Sequence, residues 1–157
     1  MPSITPSLWF DNNLEEAAQF YTSIFPNSSI EEVSHYPETE PGKPGGVLAG
    51  FFVLDGIRFM GINGGPHFKF TEAVSFVVHC KDQEEVDYYW DRLTEGGEES
   101  QCGWLKDRFG LSWQIVPHGL TELTSDPDPA RATAATKAML GMRKIIVADV
   151  EEAVANV

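Results

Sequence analysis

The chain has 157 residues, 42% of them apolar and 11% aromatic, and a formal net charge of −13. That length supports one well-buried core and is short for two ordinary independent domains, so a single domain over 1–157 is expected. The acidity opposes binding to nucleic acid or to an anionic membrane, and no apolar run is long enough to span a bilayer.

The start, MPSITPSLWF, has no basic residues followed by a long apolar core, so no signal peptide is expected. Cys80 and Cys102 are too few for a disulfide framework, which makes the cytoplasm the expected compartment.

Ile4 to Phe10 reads as a strand, with Pro6 marking an edge position or an irregular start. In the helix that follows, Leu14, Ala17, Ala18, Tyr21, Ile24 and Phe25 recur at helical spacing. Asn13 is its expected N-cap, with Glu16 completing a capping box. A weak strand is expected over 29–36 and an exposed loop over 37–46. Val47–Leu54 and Ile57–Ile62 form a hairpin turned by Asp55-Gly56, a pair that tolerates positive backbone angles.

The same grammar then repeats. Val74–Cys80 predicts a strand, Asp82 an N-cap with Glu85 in its box, and Val86, Tyr89, Trp90 and Leu93 a buried helix face. Gly96-Gly97 stops that helix. Short strands follow at Ser100–Leu105 and Leu111–Val116, and the charges of Lys106-Asp107-Arg108 read as a solvated turn. The chain is thus two βαβββ modules, about 3–66 and 72–118, with a helical tail from about 119 to 157. In the tail, one helix is expected from Asp126-Pro127-Asp128-Pro129 to about Leu140. Asp149 is expected to cap a last helix with Val150, Ala153, Val154 and Val157 on one face, and the tail to pack on the sheets or on a second subunit.

The stretches LWFDNNLEEAAQFYTSIFPNS (8–28), FMGINGGPHFKFTEAVSF (59–76) and QCGWLKDRFGLSWQIVP (101–117) resemble the 3-demethylubiquinone-9 3-methyltransferase-like (PhnB-like) family of the vicinal oxygen chelate superfamily. The resemblance implies an α+β fold in which the two modules form a glyoxalase-like cupped sheet, followed by C-terminal helices, in a homodimer. In metal-dependent members each module supplies one ligand from its first strand and one from its last. Those positions fall here at about Pro6 and Ser75, and at about Met60 and Gln114. They lack the imidazoles and carboxylates of a hard-metal site, so no metal and no cofactor are expected.

Methyl transfer would call for a glycine-rich turn between a strand and a helix, and the glycine pairs at 45–46, 64–65 and 96–97 lack that context. The expected function is binding of a small organic molecule by Trp9, Phe59, Met60, Asn63, Trp104, Trp113 and Gln114. Gln114, Ser75 and His79 are the candidate catalytic groups. The rivals are a divalent-metal lyase or dioxygenase that uses His79 with an acidic partner, and a sequestering protein that binds without turnover. His79 and Cys80 point to opposite strand faces, so no thiolate pair is expected. Cys102 is expected to be structural, the alternative being a thiol near the pocket mouth.

Overall fold

The computed structural model describes residues 2–42 and 45–157. The chain divides into two compact units, Met1–Phe70 and Thr71–Val157. In the first, β1 (Ser7–Phe10) and α1 (Leu14–Ile24) precede β2 (Ser29–His35), β3 (Val47–Leu54) and β4 (Ile57–Asn63). In the second, β5 (Ser75–Cys80) and α2 (Gln83–Thr94) precede β6 (Glu98–Glu99), β7 (Trp104–Lys106) and β8 (Ser112–Pro117). The tail adds α3 (Leu120–Thr124), α4 (Pro129–Leu140) and α5 (Val147–Ala155).

The repeated grammar yields a repeated topology. The sheets have strand orders β1-β4-β3-β2 and β5-β8-β7-β6, and in each the first strand runs parallel to the last. The β3–β4 hairpin turns at Asp55 and Gly56 with φ of 48° and 78°, the positive angles that this pair tolerates.

One helix backs each sheet. Tyr21 of α1 stacks on Phe52, which stacks on Phe59, so these strand positions face the helix. In the second unit Val86, Trp90 and Leu93 of α2 are buried, and Trp90 Nε1 donates to the Glu99 carboxylate at 2.7 Å. Leu105, Trp113 and Ile115 fill the core on that side.

The two capping motifs behave differently. Asp82 accepts from Glu85 N at 2.9 Å, while the Glu85 carboxylate accepts from Lys81 N at 3.3 Å. Asn13 makes no such bond; instead Asn63, at the end of β4, accepts from Leu14 N at 2.9 Å. The expected Asn13 cap is therefore replaced by a side chain 49 residues away in sequence from the donor. Asp82→Ala is expected to cost about 1 kcal/mol and Asn13→Ala close to nothing, as read from paired urea melts.

Gly96-Gly97 follows α2, which ends at Thr94, and each position calls for glycine for a separate reason. Gly96 has a φ of +76°, and a Cβ at Gly97 would come within 2.2 Å of the Lys106 carbonyl oxygen.

The tail folds onto the second unit. Cys102 N and Gly103 N donate to Met142 O and Arg143 O, both at 2.8 Å. Gln83 clamps the entry to α5: its amide nitrogen donates to Ile145 O and its amide oxygen accepts from Val147 N. This tertiary cap starts α5 at Val147, so Asp149 lies in the first turn rather than at the expected cap. Val150 and Val154 are buried with Leu120, Ala135 and Ile145, whereas Val157 is exposed. Helix α3, which no apolar period announced, follows Gly119 at φ +88°.

Candidate functional site

Strand alternation divides the predicted site residues between two faces. In the second unit Ser75 pairs with Ser112 and Trp104 pairs with Gln114, and the β5–β8 register continues unbroken to Cys80. Ser75, His79, Trp104 and Gln114 therefore share the face turned away from α2. There Gln114 Nε2 donates to Ser75 Oγ at 2.9 Å, and the amide oxygen of Gln114 is an acceptor. Trp104 is half-buried and His79 is exposed, so aromatic surface and a titratable ring flank the pair.

Trp113 belongs to the other face. It is buried, tilts against Phe76, and its Nε1 donates to Asp107 Oδ2 at 2.9 Å. In the first unit Phe59 and Asn63 likewise face α1. Asn63 is buried with both ends of its amide engaged, the oxygen by Leu14 N and the nitrogen by Val47 O. Trp9 and Met60 lie on the opposite face of that sheet, since Ser7 pairs with Met60 and Trp9 with Ile62. The Trp9 indole donates to Gly65 O at 2.9 Å and packs on Gly64, where a Cβ would come within 2.2 Å of the ring. Phe68 meets it edge to face.

Beside Trp104 lies a hollow of about 140 Å3 whose lining includes Glu72, Glu98, Lys106 and Ser112. Lys106 forms an ion pair with Glu72. The lysine holds the Glu72 carboxyl below its ordinary value, and the carboxylate raises the lysine in turn. Ser112 is fully buried beneath, and its Oγ has no hydrogen-bond partner among the described residues. An unsatisfied buried hydroxyl beside a hollow is the condition under which a water or a ligand atom gains a bond. Ser112 did not stand out in the sequence, and Lys106 was read only as part of a solvated turn; their pairing across β7 and β8 was the missing signal.

Asp107 departs from the expectation of a solvated turn. Only 3% of it is exposed, and its carboxylate accepts from Phe109 N, Leu111 N and Trp113 Nε1. It organises the turn that carries β8. The spacing from Asp107 to Phe109 N is that of an Asx turn, a signal readable in sequence.

Cys80 is fully buried, and burial pushes its thiol up to about 12, with the Glu85 and Asp82 carboxylates adding to the effect. The thiolate is therefore scarce at neutral pH, and Cys80 is a core residue. Cys102 is half-buried. A chromogenic disulfide reagent at pH 8 is expected to titrate about one thiol per native chain and about two after unfolding.

Among the described residues no three His, Cys, Asp or Glu side chains come together as a metal-binding group. At the four register positions the donors are a proline, a methionine, a serine and a glutamine, which do not fit a hard divalent cation. No helix among the described residues is long and apolar enough to cross a membrane.

Two βαβββ modules, each closing a mixed four-stranded sheet with a parallel first–last pair, define an α+β protein of the glyoxalase-like, vicinal oxygen chelate fold. The sequence profile of the 3-demethylubiquinone-9 3-methyltransferase family matches residues 2–116, and the chain belongs to that family. Among solved structures it is similar to the PhnB protein from Bacillus cereus, which carries the same methyltransferase name. The two share 38% identity and a TM-score of 0.68 over 74% of this chain and 99% of that one. It is also similar to protein PA1353 from Pseudomonas aeruginosa (19% identity, TM-score 0.61, 74% and 98% covered). The fosfomycin resistance protein FosX from Listeria monocytogenes shares the fold at 18% identity and a TM-score of 0.54, with 78% and 97% covered. No curated protein matches the chain.

Proposed function

We propose that the chain binds a small organic molecule on the face of the second sheet turned away from α2, without a metal ion. The observation that carries this reading is the Gln114–Ser75 pair, 2.9 Å apart, beside Trp104 and the hollow over Ser112. Sparse polar groups set among aromatic surface are the usual make-up of a ligand site. Gln114 offers its carbonyl to a ligand donor, and Trp104 supplies stacking area. His79 is proposed as the proton-transfer group on the face, where Lys106 and Glu72 are engaged with each other as an ion pair. Trp9 and Met60 occupy the corresponding face of the first sheet and are proposed as ligand contacts there. Phe59, Asn63 and Trp113 act from behind, by holding the strands.

The residues do not favour the alternatives. A divalent-metal lyase or dioxygenase would need ligands beyond His79, and the register positions supply neither imidazole nor carboxylate. Methyl transfer from S-adenosylmethionine would call for a glycine-rich turn between a strand and a helix. Of the glycine pairs, Gly64 is occupied by the Trp9 ring and Gly97 by the Lys106 backbone. A homodimer and a cytoplasmic location belong to the same reading, supported by the family resemblance and the pair of lone cysteines.

The test is a thermal-shift screen of small aromatic and polar compounds against the native chain and Gln114→Leu. A compound that raises the native midpoint and binds the variant at least about tenfold more weakly is the expected result. Equal affinity for both would place the ligand elsewhere and overturn the assignment.

A further inference from the structure

The first unit contains a separate cavity, on the side of its sheet that faces α1. It has a volume of about 220 Å3 and lies between α1 and the β2–β3 ribbon. An irregularity in β2 builds it. Ile30 pairs with Phe52 and Val33 with Gly50, so Glu31 and Glu32 together stand against Phe51 alone. In a regular strand, residues three apart point to opposite faces. The bulge turns both Ile30 and Val33 toward α1, where each stays more than two-fifths exposed. Opposite them Ala18 is small and Gly50 has no side chain. A Cβ at Gly50 would meet Glu32 O at 3.3 Å and Val33 Cγ2 at 3.6 Å. Helix and strand therefore stand apart over an apolar floor completed by Leu14 and Phe52.

The mouth is polar and rich in acceptors. Glu15 supplies a carboxylate and Gln19 an amide oxygen. His35 Nδ1 lies 3.1 Å from Gly45 O, so in the neutral ring Nδ1 donates there and Nε2 is left as an acceptor. An apolar body with one donor group fits this division, and the net charge of −13 favours a cationic donor. The volume exceeds the roughly 150 Å3 of a cavity that holds benzene, which leaves space for a ring and a short arm.

We infer that the hollow between α1 and the bulged strand β2 is a binding site for a small apolar amine. The ring lies against Ile30, Val33 and Phe52, and the ammonium lies at Glu15. This site is independent of the one proposed on the second sheet.

Phenethylamine titrated into the 15N-labelled full chain tests it. Saturable amide shifts are expected at Ala18, Ile30, Val33 and Gly50, with a Kd on the order of a millimolar. Phenethyl alcohol is expected to bind the same residues about threefold more weakly, and Glu15→Gln to remove that preference. Ala18→Leu fills the cavity and is expected to weaken both ligands at least about tenfold. Val33→Phe, at a partly exposed strand position that tolerates change, narrows the mouth and is expected to act in the same direction. Shifts confined to β5–β8 or scattered over surface carboxylates would overturn the site. So would undiminished binding in either filled variant.

Discussion

Replacing Asp107 by alanine is expected to lower stability by about 4 kcal/mol, or roughly 10 °C in melting midpoint. The carboxylate is 3% exposed and accepts three hydrogen bonds, two from backbone N–H groups of the β7–β8 turn and one from the Trp113 indole. Truncation leaves the buried Leu111 N and Trp113 indole donors, and the partly buried Phe109 N, without their acceptor, which costs more than the net worth of the bonds themselves. Asp107→Asn keeps the shape and one acceptor but turns an NH2 group toward a donor, so it is expected to recover only part of the loss. Chemical denaturation with unchanged m-value checks both variants. Because the turn carries β8, near-native stability in Asp107→Ala would mean that this carboxylate does not hold Ser112 and Gln114 in position.

Asn63→Ala is expected to cost about 3 kcal/mol. One side chain both caps α1 through Leu14 N and ties β4 to Val47 O. Asn63→Asp separates the two roles: the carboxylate still accepts from Leu14 N but faces the Val47 carbonyl without a donor. It is expected to be destabilised, with the loss eased as pH falls and the introduced carboxyl is protonated. A loss under about 1 kcal/mol in Asn63→Ala would mean that α1 is capped by other means.

How far the sequence predicts this molecule depends on which property is read. The doubled strand–helix opening was legible because capping residues and helical periodicity are local signals. The Asp55-Gly56 hairpin was legible because its backbone angles restrict the residues allowed. What local signals miss is the partner a residue finds across the fold. Asn13 and Asp82 look equivalent in sequence, yet Asn63 caps one helix and Asp82 caps the other. Gln83 likewise sets the start of α5 from 64 positions away.

The candidate site shows the same limit more sharply. Phe59 beside Met60, and Trp113 beside Gln114, are neighbours in a two-residue repeat, so a shift of one position exchanges the core for the exposed face. Composition cannot resolve that choice when both neighbours suit a pocket. The β5–β8 pairing resolves it, bringing Gln114 to Ser75 and leaving Trp113 against Asp107. The β2 bulge is less legible still, because nothing in SIEEVSH marks two residues standing against one.

The metal content of the purified, untagged chain, measured together with its melting midpoint before and after a chelator, tests the central claim most directly. Binding without a metal predicts less than about a tenth of a metal ion per chain and an unmoved midpoint, since a ligand of the native state alone would raise it. About one tightly held divalent ion per chain, with a midpoint that falls on chelation and recovers on adding the ion back, would contradict the claim and make this a metalloprotein.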